Sequence, residues 1–465
     1  MARLQAVVLA AGRGTRMHSS QPKVLHQVAG KPMLAYILAA VEKAGLSDIA
    51  VVVGHRADLV ARSLGERYTY IHQEPQRGTG DAVRLALEAM PAEVDDILVL
   101  PGDTPLVTAA TLQGLVARHH EAGGAATLVL ARPESPGGYG RVRRGADGRI
   151  LGIVEEKDAG PDELAIREVN AGMYCFRRAP LAEALAHLSP ANAQGEYYLT
   201  DVIALLAARG LPVVAVEAGA EEVLGVNSRS DLARAEKIVR RQINQALMAA
   251  GVTMVDPENT YVDAGVSVGA DTIIYPLCFL EGATRVGRES RIGPGVTLRD
   301  SVVGDNVTIM HAVVLSSRVG DGSQVGPFAY LRPGTVLAAG AKVGDFVELK
   351  STFVGPGSKV PHLSYLGDAQ IGAGVNVGAG TITCNYDGQD KWPTIIEDEA
   401  FIGSNANLVA PVRVGRGAVV GAGSTITRDV PAEALGLGRE RQVNIGGWKE
   451  RQEKKKQQQK NSGGG

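Results

Sequence analysis

Between Leu9 and Lys23 the chain reads LAAGRGTRMHSSQPK, a glycine-rich stretch that carries two arginines and a lysine. Loops of this kind bring backbone N–H groups against anionic oxygens. The dinucleotide fingerprint G-x-G-x-x-G is not met, because Gly12-Arg13-Gly14 runs into Thr15-Arg16-Met17. The triphosphatase loop, with four residues between its glycines and then Gly-Lys-Ser/Thr, is absent as well. What remains is a third arrangement, in which Gly12, Gly14 and Thr15 offer backbone donors while Arg16 and Lys23 supply fixed positive charge. That set suits a triphosphate undergoing substitution, where charge neutralisation makes up most of the catalysis. Asp103, in LPGDTP, offers a hard oxygen to Mg2+, which takes one or two protein groups and fills its shell with phosphate oxygens and water. The same aspartate is equally suited to capping the segment after it.

A second concentration of polar groups lies between residues 332 and 386: Arg332, Lys350, His362, Tyr365, Asn376, Asn385 and Tyr386. The repeat that surrounds them requires none of these. By residue type alone His362 is only weakly marked as a catalytic base, since a lone histidine has roughly one chance in ten of that role. Cys384 has no identifiable basic partner and reads as a wall residue rather than a nucleophile.

The elements that must position these groups differ between the two halves. In the first, the apolar runs LQAVVLA, IAVVVG (49–54) and DILVLPGD (96–103) alternate with helical patterns at Met33–Lys43 and Thr79–Met90. This alternation predicts a mainly parallel, Rossmann-like α/β sheet with ligands at the carboxyl ends of the strands. The glycine loop and Asp103 both follow apolar runs, so they converge on one crevice. Leu232, Ala235, Val239, Ile243 and Leu247 then mark an amphipathic connector helix. After Gly251 the period becomes six: Val262, Val268, Ile274, Leu280, Val286, Ile292 and Leu298, resuming at Val319 to Val343 and again at Ile402 to Ile426. One inward aliphatic per six residues is the hexapeptide β-helix pattern. The slips near 299–303 and 315–318, and between Thr383 and Thr394, are expected to bulge outward as loops. The resulting division is 1–229, a helix at 230–250, a β-helix at 251–447, and a disordered basic and polar tail at 448–465.

Composition narrows the partners. A net charge of −2 with dispersed basic residues leaves no nucleic-acid footprint. No apolar run approaches the roughly 20 residues needed to cross a bilayer. Cys175, Cys278 and Cys384 are far apart and odd in number, which fits a reducing cytoplasm, and the start of the chain lacks a signal-peptide layout.

The stretch Leu9 to Met17, closed by Pro22-Lys23, resembles the signature of sugar-1-phosphate nucleotidylyltransferases. Joined to a long hexapeptide half, the chain resembles, from Leu4 to about Arg439, the bacterial bifunctional UDP-N-acetylglucosamine pyrophosphorylase/glucosamine-1-phosphate N-acetyltransferases. The resemblance implies that Leu9, Ala10, Ala11 and Gly12, with Gln73, Gly78 and Thr79 of HQEPQRGTG, read the uracil of UTP. It gives the N-acetylglucosamine moiety to Gly140, Glu155 and Asn170. Mg2+ goes to Asp103 and Asn227 of GVNSR, and phosphate neutralisation to Arg16 and Lys23. In the second half VPHLSYLGD and IGAGVNVGAGTITCNYDG resemble the acetyltransferase motif, with His362 as the base. Arg332 and Lys350 would hold the phosphate of glucosamine-1-phosphate. Tyr365 and Asn376 would contact its sugar, with Asn385 and Tyr386 completing the pocket. Ala379, Ser404, Ala422 and Arg439 align with acetyl-coenzyme A contacts. Resemblance to hexapeptide proteins further implies a left-handed helix and a homotrimer. Two other readings compete: a monofunctional nucleotidylyltransferase, against which the His362-to-Tyr386 set argues, and a silent regulatory subunit, against which Arg16, Lys23 and Asp103 argue.

Overall fold

The protein is described by a computed structural model covering residues 3–462. It divides into two compact units, Met1–Leu247 with Val262–Gly265 and Met248–Tyr261 with Val266–Gly465.

The first unit is built on β1 (Leu4–Ala10), β2 (Ile49–Val53), β3 (Thr69–His72), β4 (Asp96–Pro101), β5 (Ala126–Ala131), β6 (Arg141–Arg144), β7 (Ile150–Val154), β8 (Val169–Arg177) and β9 (Val213–Glu217). The sheet order is β9-β5-β8-β4-β1-β2-β3, with the β6–β7 hairpin attached to β8. Every neighbouring pair along that order is parallel except the two made by β8, which is antiparallel to both β4 and β5. The mainly parallel α/β reading therefore holds, with one reversed strand. The apolar runs of β1 and β2 follow from burial on both faces. Ala6 and Val8 pack with Leu34, Ile37 and Leu38 of the helix Met33–Lys43, whereas Val7 packs with Ala82, Val83 and Ala86 of the helix Thr79–Ala89. This alternation is the two-residue period of a strand covered by helices on both sides.

The 21-residue helix Arg229–Ala249 docks Ala235, Ile238 and Val239 against Val28, Met33 and Leu106 of the first unit. Its start is set by a capping box: Ser228 Oγ accepts from Asp231 N at 3.2 Å, and Asp231 Oδ2 accepts from Ser228 N at 2.8 Å and from Asn227 N at 3.1 Å.

The second unit is a left-handed parallel β-helix, whose short strands form three parallel sheets of 11, 10 and 9 strands among the described residues. Along the first sheet Ile274, Ile292, Ile309, Val325, Val343 and Val360 stack in register and are buried. Successive members are 16 to 18 positions apart, which is one coil. Buried serines and threonines occupy the corners; Ser290 Oγ, for example, accepts from Val307 N at 3.0 Å and donates to Gly304 O at 3.2 Å. Small hydroxyl side chains thus satisfy backbone groups where the chain turns.

Two of the three expected bulges are corrected. At 299–303 and 315–318 the chain loses a residue rather than gaining any, and the corner tightens through Asp300 and Ser316, whose φ values are 48° and 42°. Between Cys384 and Thr394 a loop does leave the coil, and the partners Ile371 and Ile396 lie 25 positions apart. The tail also differs from the expectation of disorder: Trp448–Ser462 is helical. Its Lys, Glu, Gln and Arg residues are strong helix formers even without an apolar face. The last three residues of the expected tail lie outside the described residues.

Candidate active sites

A cavity of about 770 Å3 opens in the first unit, beside the loop that follows β1 and Asp103 after β4. Leu9, Ala10, Ala11, Gly12, Gln73, Gly78 and Thr79 line it. Lys23, Asp103, Glu155 and Asn170 also face it, whereas Arg16, Gly140 and Asn227 stand outside the lining.

Gly14, at φ +62°, lies so close to Lys23 that a Cβ there would be 2.6 Å from the lysine Cβ. The turn therefore admits no side chain and presses on the Lys23 stem. The Lys23 ammonium pairs with the Asp103 carboxylate and donates to Asn227 Oδ1 at 3.0 Å. Asp103 is tied to the same segment by its carbonyl, which accepts from Val226 N at 2.8 Å, while the capping box holds Asn227 at the start of its helix. Two hard oxygens from residues 124 positions apart thus share one cationic centre. That donor set fits a divalent cation that draws its remaining ligands from phosphate and water. Arg16 does not join Lys23. It lies exposed on the turn Thr15–Met17, where Met17 is the residue that packs inward.

Gln73 is almost fully buried, and its Nε2 donates to Gly78 O at 2.9 Å and to Asp81 Oδ2 at 3.0 Å. Arg84 donates to the other Asp81 oxygen at 2.6 Å. An ionised carboxylate only accepts, so the Gln73 amide must present its NH2 to Asp81 and keep Oε1 as an acceptor.

Gly140, Glu155 and Asn170 come together as well. Gly140 O accepts from Asn170 N at 2.9 Å, and a Cβ on Gly140 would sit 3.5 Å from Glu155 Oε2. The pairing of β8 with β5 shifts register between Asn170 and Tyr174, a bulge of the kind that re-aims side chains. Asn170 Nδ2 donates to Tyr174 Oη at 2.7 Å, and Thr200 Oγ1 donates to Glu155 Oε1 at 3.0 Å. Burial raises the Glu155 carboxyl above the usual glutamate range. Tyr174 and Thr200 line the cavity and were missed from sequence, where no spacing links them to the loop.

In the β-helix, position is set by coil register. Asp345 pairs directly with His362, and the pairings Lys359↔Asn376, Val377↔Ile402 and Ile402↔Val420 carry the register onward. Ala379, Ser404 and Ala422 therefore follow His362 on successive coils, roughly 4.8 Å apart. Arg439 lies beside Gly423 at the top of that column. A column of small residues thus runs up from His362. His362 Nδ1 bonds Asp345 Oδ1 at 2.5 Å.

The expected acceptor contacts lie mainly on the neighbouring sheet. Arg332 NH1 pairs with Glu348 Oε1 at 2.9 Å, and Lys350 Nζ with both Asp368 oxygens at 3.0 and 3.1 Å. Asn385 Nδ2 donates to Asp368 Oδ2 at 2.6 Å. Burial works to raise the Asp368 carboxyl, but hydrogen bonds from Lys350 and Asn385 outweigh it and hold the group below the usual range. Tyr365 sits next to Asn385 across Gly367, and exposed Tyr386 lies on the loop that leaves the coil. Asn376 is apart from these, on the sheet of Lys359. Glu348, Asp368 and Asp345 escaped the sequence reading. Their signal was a spacing of one coil, 16 to 18 positions, from Arg332, Lys350 and His362.

Comparison with known proteins agrees with this two-part build. Residues 6–242 match the MobA-like NTP transferase domain, 257–368 the GMPPB C-terminal domain, and 393–428 the hexapeptide repeat of succinyl-transferase. The bifunctional protein GlmU of Heliobacterium modesticaldum is 55% identical over 437 residues, covering 94% of this chain and 95% of its own. That of Carboxydothermus hydrogenoformans is 54% identical over 95% of this chain and 99% of its own, and that of Syntrophomonas wolfei 49% over 95% and 99%. With about half of all residues identical along almost the whole length, the chain belongs to the GlmU family of bifunctional proteins.

Proposed function

We propose that the chain makes UDP-N-acetylglucosamine in two steps, each in its own site. In the β-helix an acetyl group passes from acetyl-CoA to the amine of glucosamine-1-phosphate. In the first unit the phosphate of N-acetylglucosamine-1-phosphate attacks the α-phosphorus of UTP, and pyrophosphate leaves. The observation that carries this reading is the meeting of Lys23, Asp103 and Asn227 beside a cavity that Glu155 and Asn170 also line.

The working division is 1–229 for nucleotidyl transfer, 230–250 for the connecting helix and 251–447 for acetyl transfer. The acceptor oxygen of Gln73 takes the N3–H of uracil, with Leu9 to Gly12, Gly78 and Thr79 around the base. Gly140, Glu155 and Asn170 hold the sugar. Lys23, aided by Arg16 when the substrate draws the turn inward, balances charge on the phosphates. Asp103 and Asn227 hold Mg2+, which when bound neutralises phosphate oxygens and lowers the cost of charge on the leaving pyrophosphate. In the acetyl site His362 takes the proton of the attacking amine, a contribution of about 10²- to 10⁴-fold. Arg332 and Lys350 grip the sugar phosphate, Tyr365, Asn376, Asn385 and Tyr386 orient the sugar, and Ala379, Ser404, Ala422 and Arg439 line the acetyl-CoA groove.

The assembly is a homotrimer working in the cytoplasm. In its support, His311, Phe328, Phe346 and Leu363 occupy one corner of successive coils, with ring centroids 5.6 and 5.4 Å apart. Phe328, Phe346 and Leu363 are each more than half exposed, an apolar ladder suited to a second copy of the chain. Among the described residues no helix is long and apolar enough to cross a membrane.

The test is a pair of substitutions read by two assays. His362→Ala should abolish thiol release from acetyl-CoA and leave pyrophosphate release from UTP with N-acetylglucosamine-1-phosphate intact; Asp103→Ala should do the reverse. If either substitution impairs both reactions equally in a folded chain, the two-site reading is wrong.

A further inference from the structure

The imidazole assigned above as base is not alone on its column. Asp345 ends the strand Lys342–Asp345, and His362 ends the strand Lys359–His362 on the next coil. The two are direct register partners, and Leu363 N donates to Asp345 O at 2.9 Å, so the backbone fixes their spacing before any side chain chooses a rotamer. The side chains then meet, with His362 Nδ1 at 2.5 Å from Asp345 Oδ1.

We infer that Asp345 is the positioning residue of the acetyl-transfer site, holding the His362 ring in the tautomer that leaves Nε2 free to take the amine proton. The inference rests on His362 acting as the base. A carboxylate has no proton to give, so the hydrogen on this bond belongs to Nδ1. The neutral ring then has its lone pair on Nε2, directed away from the coil that carries Asp345. Without the carboxylate both tautomers are open to the ring, and the one protonated at Nε2 cannot accept a proton there. The hydrogen bond from His362 also holds the Asp345 carboxyl below the usual aspartate range, so the partner stays ionised wherever the enzyme works.

The transfer balances in these terms. The amine nitrogen of glucosamine-1-phosphate bonds to the thioester carbonyl carbon and the C–S bond breaks. The amine proton moves to Nε2, and the imidazolium that forms is stabilised by the adjacent carboxylate. That proton then passes to the departing thiolate, which restores the neutral ring with Nδ1–H still on Asp345. Stability offers no better account of the pair. His362 is 57% exposed and Asp345 36%, and such exposed pairs contribute little to folding.

The experiment uses the full chain and three variants: Asp345→Ala, the isosteric Asp345→Asn, and His362→Ala. Thiol release is followed against both glucosamine-1-phosphate and acetyl-CoA. In Asp345→Ala the kcat should fall at least roughly 10- to 100-fold, the size of effect seen when a metal-bound histidine loses its hydrogen-bonded partner, with both KM values within about twofold. Asp345→Asn should lower kcat in the same direction, and pyrophosphate release should be unchanged in both. In selectively 15N-histidine-labelled chain, His362 should show a protonated Nδ1 and a bare Nε2 in the parent and a mixture in Asp345→Ala. Wild-type kcat in either folded Asp345 variant, an effect confined to KM, or an unaltered His362 nitrogen pattern overturns the inference. If Asp345→Ala does not fold, the same readouts on Asp345→Asn decide it. An active His362→Ala overturns the base and the positioning role together, whereas an inactive His362→Ala beside a fully active Asp345→Ala overturns the positioning role alone.

Discussion

Replacing Asp81 with asparagine should loosen the choice of base without disabling the reaction. Gln73 Nε2 donates both to Gly78 O and to Asp81 Oδ2. Turning the amide over would sacrifice a neutral hydrogen bond worth about 1 kcal/mol and a charged one worth about 1.5–3 kcal/mol. At a total of about 2.5–4 kcal/mol, the reversed amide is populated at about 1% or less. The side-chain amide introduced by Asp81→Asn can present either its oxygen or its NH2, so only the Gly78 bond still resists reversal. A cost of about 1 kcal/mol lets roughly 15% of molecules carry the NH2 towards the base. In the proposed site uracil offers N3–H to the parent amide, whereas cytosine has a bare N3 there and pairs with the reversed one. The kcat/KM for CTP should therefore rise about 20-fold while that for UTP falls less than twofold. Arg84 keeps Glu88 as a partner at 2.6 Å, so the helix surface loses little. The assay is pyrophosphate release from N-acetylglucosamine-1-phosphate and each nucleotide. A UTP/CTP ratio within about threefold of the parent, in a folded variant, would refute the argument that this carboxylate orients Gln73.

Two further outcomes are expected. Glu155 is held above its ordinary value of 4.5, so between that value and the raised one the folded chain keeps a proton that the unfolded chain has released. Stability should fall as pH rises through that window, and Glu155→Gln should flatten the decline when melting temperature is followed from about pH 4.5 upwards; parallel curves for the two proteins would contradict this. Phe346→Asp puts a charge in the middle of the exposed corner ladder. Sedimentation should show a smaller assembly; an unchanged assembly would remove the ladder from the interface.

The fold class was legible because each half obeys one strong period. The apolar runs of β1 and β2 could only be strands covered on both sides, and the six-residue aliphatic repeat leaves little besides a β-helix. The direction of β8 was not legible, since nothing in VNAGMYCFR records that it returns between β4 and β5 against their direction. The slips at 299–303 and 315–318 were misjudged because a deleted and an inserted residue interrupt a period in the same way. Within the cavity, the glycine loop and Asp103 announced themselves by their places after apolar runs, but the separation of Arg16 from Lys23 depends on which face of a three-residue turn packs inward. The carboxylates beside Lys350, Arg332 and His362 were hidden for another reason. A helix makes neighbours of residues three or four apart, whereas this solenoid makes neighbours of residues one coil apart, outside any local window.

That coil spacing makes the solenoid a ruler. Removing one whole turn would bring Ala422 nearer to His362 by roughly 4.8 Å and leave the backbone of every remaining turn as it was. Removing a single residue at a corner, as at 299–303, only tightens that corner and leaves later side chains on their faces. An architecture of this kind can be retuned to a longer or shorter acyl carrier only in quanta of an entire turn.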